Sequence, residues 1–413
     1  MRQPTRELVT SFLDARHVTE ALCEPLCVED FVVQTMPDVS PIKWHLAHTT
    51  WFFETFVLRR CQPDAAPFHP AYNYLFNSYY NRVGPQFPRP ERGLLSRPTV
   101  DEVFAYRAHV DGRMRALLAE PVDAATESLT QVGVHHEQQH QELMLTDIKH
   151  IFGTQPLEPV YRSGQSVQSG GKDGEHSFVA FHGGTYAIGH GGEGFAFDNE
   201  GPRHERLLAS FELGSRLVTC AEFLNFIEDG GYQRPELWLS EGWAAAQRER
   251  WKAPRYWRHE NDGWTVFTLG GRRALQAREP VCHVSYFEAD AYATWAGARL
   301  PDEAEWEVAA RQAGPGNFVE SGALHPRPAA AGNGLKQMFG DLWEWTRSAY
   351  APYPRYRPPA GAVGEYNGKF MCGQYVLRGG SCATSARHIR PTYRNFFPPD
   401  ARWQFTGIRL ARD

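Results

Sequence analysis

The sequence predicts an N-terminal four-helix bundle followed by a mixed α+β domain with much irregular structure. Three observations lead there. Helix start signals precede amphipathic runs through the first 150 or so residues. A stretch of Ser, Gly and Gln centred on Ser169-Gly170-Gly171-Lys172-Asp173-Gly174 then interrupts the chain. Beyond it the texture changes to short strands, many turns and dense Trp and Gly. A length of 413 residues suits two or three domains, and the boundaries fall at 1–163, a linker over 164–177, and 178–413.

In the first half, Glu7 to Ala21 is amphipathic. Ser40-Pro41 opens a second helix running through Trp44 to about Arg59, since Pro is tolerated where the first turn's N–H has no partner. Thr99-Val100-Asp101-Glu102 resembles a capping box and starts a third through about Leu118. Thr126 to Ile151 forms the fourth. Four such helices suggest a bundle, whose interior is a common place for metal sites. The connection between the second and third helices is long and aromatic, from Tyr72 through Tyr79-Tyr80-Asn81 to Arg89-Pro90, a length that favours a functional loop. In the second half, helices are expected at Cys220–Ile227, Ser285–Ala296 and Asp302–Ala310.

Composition narrows the function classes. A formal charge of −5 argues against nucleic acid as the main partner. No apolar run approaches a membrane span, and Met1-Arg2-Gln3-Pro4 does not open a signal peptide, so a cytoplasmic protein is expected. Seven scattered cysteines, an odd number, fit a reducing compartment better than a disulfide framework.

The stretch His135-His136-Glu137-Gln138-Gln139-His140-Gln141-Glu142 is the chemical centre of the chain. On a helix, His136 and His140 lie one turn apart on one face, the spacing by which a helix offers two nitrogens to one metal. The upstream Trp44-His45-Leu46-Ala47-His48 makes His45 or His48 available as a third ligand. Three neutral imidazoles leave a divalent ion's charge uncompensated and some positions open. A thiolate suits such a site, followed by dioxygen if the metal is Fe(II), and the same ligands suit catalytic zinc. Glu137 and Glu142 read as surface or supporting groups.

His48 in Leu46-Ala47-His48, together with His136 and Gln139-His140, resembles the iron-binding DinB-type bundle of the ergothioneine-pathway sulfoxide synthases. The second half is similar to their partner module, the formylglycine-generating-enzyme-like (C-type-lectin-like) domain. Its motifs stand here as Gly183-Gly184-Thr185-Tyr186-Ala187-Ile188-Gly189, Arg299-Leu300-Pro301-Asp302-Glu303-Ala304-Glu305-Trp306-Glu307, Gly340-Asp341-Leu342-Trp343-Glu344-Trp345, Leu377-Arg378-Gly379-Gly380-Ser381 and Gly407-Ile408-Arg409-Leu410-Ala411. The matches cover nearly the whole chain. They imply Fe(II) held by His48, His136 and His140, with His45 as a neighbour and O2 as co-substrate. The implied reaction joins the thiol of cysteine or γ-glutamylcysteine to the imidazole carbon of hercynine (trimethylhistidine) and leaves a sulfoxide. The partners expected are these small molecules alone, with the protein a monomer or homodimer.

The resemblance also assigns side chains. Gln139 holds hercynine. Tyr79 or Tyr80 serves proton transfer, a phenol of ordinary pKa about 10 placed near the metal. Arg89 best matches the carboxylate-binding position, with Arg82 and Arg92 as weaker candidates, since a guanidinium clamps a carboxylate with two parallel bonds. Asn395 contacts hercynine, and Phe396 and Phe397 form a wall for its trimethylammonium. Phe397 stands where γ-glutamylcysteine-using members resemble Asn-Trp-Asp, which favours free cysteine. Cys372 and Cys382 do not reproduce the copper-binding pair of formylglycine-generating enzymes. Alternatives are a selenoneine synthase taking a selenosugar, an ovothiol-type synthase acting on unmethylated histidine, a zinc-dependent DinB-type thiol transferase, and a purely binding module.

Overall fold

The computed structural model describes residues 3–164, 176–260 and 262–413. The chain divides into two compact units, one of Met1–Tyr161 with Pro359–Tyr366, the other of Arg162–Pro358 with Asn367–Asp413. The segment Pro359–Tyr366 thus leaves the second half of the sequence to join the first unit. Most of the expected linker, 165–175, lies outside the described residues. Among the described residues no helix is long and apolar enough to cross a membrane.

The first unit is helical. Helix α1 spans Gln3–Ala21. Helix α2 spans Ile42–Phe52 and continues through a π-helical stretch, Phe53–Leu58, into Arg59–Cys61. A short α3, Tyr72–Phe76, interrupts the long aromatic connection. Helix α4 spans Val100–Leu118, opened by the Thr99/Glu102 capping box. Helix α5 spans Ala124–Thr154, two residues earlier than expected at its start because Asp123 caps it through the Thr126 N–H. α5 packs on both α1 and α2.

One contact on α5 fixes how close α2 can come. A Cβ at Gly133 would lie 2.5 Å from the Phe53 ring, and Phe53 is fully buried. Gly133→Ala is therefore expected to destabilise the bundle by about 1–2 kcal/mol. Overpacking of about 1–3 kcal/mol outweighs the gain of roughly 1 kcal/mol from replacing a helical glycine. A denaturation midpoint equal to or above that of the parent protein would show that Phe53 yields.

Of the two readings of Glu137, surface group or supporting group, burial excludes the first. The side chain is wholly buried and points into a charge cluster. Its carboxylate accepts from Arg16 at 2.9 Å, Arg107 at 3.1 Å and the Thr19 hydroxyl at 2.7 Å. Arg16 also binds Asp111 at 2.7 Å. This cluster ties α1, α4 and α5 together one residue from a predicted metal ligand.

Among its described residues the second unit holds four small sheets and four α-helices. Strands β1 (Phe178–Phe181), β4 (Phe211–Gly214) and β12 (Ala411–Arg412) form one antiparallel sheet, and β2 (Gly184–Ile188) pairs with β3 (His204–Leu208). Strands β5 (Trp257–Glu260), β6 (Gly263–Thr268) and β7 (Gly271–Ala274) make a meander. The fourth sheet has the order β10 (Asn395–Phe397), β9 (Tyr375–Arg378), β8 (Trp343–Ala349), β11 (Thr406–Gly407). Helices α6 (Cys220–Glu228), α8 (Tyr286–Trp295) and α9 (Glu303–Ala310) fall where expected, whereas α7 (Ser240–Arg248) was not anticipated. Leu239 caps α7 with no side-chain bond, so it lacks the usual start signal.

The sequence motifs of this unit meet in its interior as ion pairs. Arg409 binds Glu344 at 2.7 Å, and Trp306 Nε1 donates to the same carboxylate at 2.8 Å. Glu303 accepts from both Arg378 and Arg394 at 2.9 Å. Gly379, at φ +99°, has no room for a Cβ, which would sit 2.6 Å from the Met338 carbonyl oxygen. No disulfide joins any of the described cysteines; Cys372 is exposed and Cys382 buried.

Candidate metal centre

His48 from α2 and His136 and His140 from α5 each bring one ring nitrogen to within 4.8 Å of the others. His45, the other candidate for third ligand, is not in this group. The helices explain the convergence. His136 and His140 share one face of α5, and His48 faces them across the α2–α5 contact, with Nε2 of His48 3.2 Å from Nε2 of His136.

Each imidazole is set by its surroundings. His48 is sandwiched between Trp44 (ring centroids 4.6 Å, 14°) and Trp51 (5.7 Å, 17°), its neighbours one turn away on α2. Its Nδ1 lies 2.6 Å from the Phe76 carbonyl, which can only accept, so Nδ1 carries the proton and Nε2 is bare. His140 Nδ1 lies 2.8 Å from His45 Nδ1, and His45 Nε2 lies 3.0 Å from Asp147 Oδ2. His136 Nδ1 is buried with no hydrogen-bond partner among the described residues.

Burial pushes all three ring pKa values down: His136 to about 3, His48 and His140 well below the ordinary histidine range. They stay neutral at physiological pH, the form that ligates a metal. Two nitrogens each about 2.1 Å from one cation would lie near the 3.2 Å seen between His48 and His136. The donor set and its protonation state therefore fit a divalent metal.

The segment Pro359–Tyr366 brings a tyrosine that the sequence did not single out. The Glu365 carboxylate accepts from the Asn81 and Arg82 backbone N–H groups at 3.0 and 2.9 Å, fastening the segment to the aromatic loop. Tyr366 is buried, donates its phenol proton to Gln139 Oε1, and sets its ring 5.7 Å from that of His136. Tyr79 is half-buried, 6.4 Å ring to ring from Tyr366 and 4.6 Å from Tyr80. Tyr80 is fully buried, which pushes its phenol well up, and it packs on Phe56 and Trp51. A signal for Tyr366 existed in the long Pro- and Gly-containing connection between β8 and β9.

The arginines separate by burial. Arg82 and Arg89 are exposed, and Arg89 donates to the Asp38 carbonyl at 2.6 Å. Arg92 is buried, its guanidinium 3.3 Å from the Trp44 ring centroid and 2.9 Å from the Ser40 hydroxyl. In the second unit, Asn395 opens β10 opposite Leu377, and its side-chain oxygen accepts from the Phe396 N–H at 2.9 Å. Phe396 stacks on Tyr350 at 4.0 Å and lies 5.9 Å ring to ring from Phe370. Phe397 meets Trp403 edge-on at 6.2 Å.

Residues 11–144 match the DinB superfamily, and 165–332 with 320–413 match the sulfatase-modifying factor enzyme 1-like domain. The hercynine oxygenase of Mycolicibacterium thermoresistibile is 35% identical over 98% of this chain and 95% of its own length. The chain belongs to the hercynine oxygenase family. The same relative from Mycobacterium tuberculosis is 34% identical over 97% of this chain and 98% of its own. Ergothioneine biosynthesis protein 1 of Schizosaccharomyces pombe is 29% identical over 53% of this chain and 28% of its own. This is the family that the histidine motifs and the five second-half motifs resemble. As a hercynine oxygenase family member the chain is an oxygen-using enzyme of ergothioneine biosynthesis.

Proposed function

We propose that the chain joins cysteine to hercynine at an Fe(II) ion held by His48, His136 and His140, giving hercynylcysteine sulfoxide. The observation that carries this is three buried, neutral imidazoles converging beside a tyrosine phenol in a member of the hercynine oxygenase family. When bound, Fe(II) supplies a redox-active centre with open positions for thiolate and dioxygen. Zinc suits the same three nitrogens but has no redox chemistry to offer an oxygenase.

The reaction balances without an external reductant. The imidazole C–H and the cysteine S–H are lost, and a C–S and an S–O bond form. One oxygen atom of O2 ends on sulfur and the other leaves as water. Gln139, on the ligand helix, is placed to hydrogen-bond an imidazole substrate, with Tyr366 as the partner it exchanges. Tyr366 is the phenol best placed to move a proton at this site, with Tyr79 and Tyr80 forming the wall behind it. Arg82 and Arg89, and Arg92 behind Trp44, are the guanidinium candidates for the donor's carboxylate. Asn395, Phe396 and Phe397 are assigned to hercynine on sequence resemblance.

Tyr366→Phe keeps the ring and removes the hydroxyl. Sulfoxide formation should fall by about 10²–10⁴-fold, the usual worth of a positioned proton-transfer group, while loss of the bond to Gln139 lowers stability by only about 1 kcal/mol. An unaltered rate would remove Tyr366 from the chemistry. The donor is tested by offering the Fe(II)-loaded protein hercynine with cysteine, γ-glutamylcysteine or a selenosugar and weighing the products. A selenium adduct without a sulfur product would move the chain to the selenoneine branch.

A further inference from the structure

The three ligand histidines are supported unequally. His48 leans on a backbone carbonyl and His136 Nδ1 on no described group, while His140 is backed by a buried chain ending in a carboxylate. We infer that His45 and Asp147 are positioning residues that fix the protonation pattern of His140 and lend it negative charge, making it the strongest donor of the metal set. This rests on the three-histidine metal site proposed above.

With His45 neutral and Asp147 ionised, the geometry allows one arrangement of protons. Asp147 Oδ2 accepts from the Ser40 N–H at 2.9 Å and faces His45 Nε2 at 3.0 Å, so His45 carries its proton on Nε2. His45 Nδ1 is then a bare acceptor, and the 2.8 Å contact needs the proton on His140 Nδ1. That leaves His140 Nε2 with its lone pair directed away from the chain and available to a cation. His45 and Asp147 are each about 3% exposed, so the carboxylate's charge is poorly screened and acts through two hydrogen bonds. Asp147 lies seven residues after His140, two turns along the same face of α5. Three neutral imidazoles bring no negative charge of their own, and a more electron-rich His140 would stabilise the higher charge state of a metal.

The test separates charge from hydrogen bonding. Asp147→Asn can keep both bonds to one oxygen and removes only the charge. His45→Gln can accept from His140 and donate to Asp147, whereas His45→Phe can do neither. Metal-free protein of each variant is titrated anaerobically with Fe(II), and separately with Co(II), followed by its d–d absorption. The midpoint potential of the iron-loaded forms is then measured. Affinity should fall about 10- to 100-fold in His45→Phe, recover substantially in His45→Gln, and fall less in Asp147→Asn. The midpoint potential should rise in Asp147→Asn. Unfolding of the metal-free proteins reports on folding independently. A potential and affinity in Asp147→Asn equal to those of the parent, or His45→Gln no better than His45→Phe, would overturn the inference. Failure of the parent protein to bind either metal would instead sink the metal site itself.

Discussion

His136→Ala should abolish stoichiometric Fe(II) binding and stop sulfoxide formation. Its effect should exceed the roughly 10- to 100-fold expected for loss of a supporting partner, because one of three ligands disappears. The void does not favour another donor: His48 is pinned between two tryptophans, and His140 is held through His45. Nor should the bundle collapse, since the variant removes a buried, unpartnered Nδ1 along with the ring. Iron content per chain and product yield are the readouts, with circular dichroism as the folding check. Retention of one tightly held iron per chain in a folded His136→Ala protein would place the metal elsewhere.

The second large effect is on stability. Glu137→Gln should cost about 3–5 kcal/mol, the usual result of removing one partner from a buried ionic cluster. Arg16 and Arg107 would be left with Asp111 and the half-exposed Glu20. Asp111 is a weak substitute, because burial pushes its pKa up despite Arg16. For Glu137, burial also pushes upward, but Arg16 and Arg107 outweigh it and hold the carboxyl at about 2. A folded-state pKa below the unfolded value means stability that is complete above the unfolded value, about 4.3, and lost as pH falls toward 2. The stability gap between the parent protein and Glu137→Gln should thus be constant from pH 8 to 5 and close below about pH 4. A gap that persists unchanged to pH 3 would show that Glu137 is not held as an anion.

The parts of this molecule that depend on local spacing were legible in the sequence. His136 and His140 advertise themselves because four residues is one helical turn, and Thr99 with Glu102 marks a helix start by a bond that spans three residues. What could not be read depends on contacts between distant segments. Glu137 looks like any polar helix residue until Arg16 and Arg107, 121 and 30 residues away, are brought to it. Tyr366 reaches the histidines because Glu365 captures two N–H groups in a loop more than 280 residues upstream. The three arginines were ranked by motif alone, whereas stacking on Trp44 is what sets Arg92 apart. Asp147 shares a helix face with His140, yet its partner His45 comes from another helix, so the pattern hides in two places.

The central claim is oxygen-dependent C–S bond formation at the three-histidine site, and single turnover under labelled oxygen tests it most directly. Protein loaded anaerobically with one Fe(II) is mixed with hercynine and cysteine, exposed to ¹⁸O2, and the product is weighed. A hercynine–cysteine adduct carrying one ¹⁸O atom, absent from His136→Ala, is the expected result. No oxygen consumption with cysteine, γ-glutamylcysteine or a selenosugar would contradict the claim.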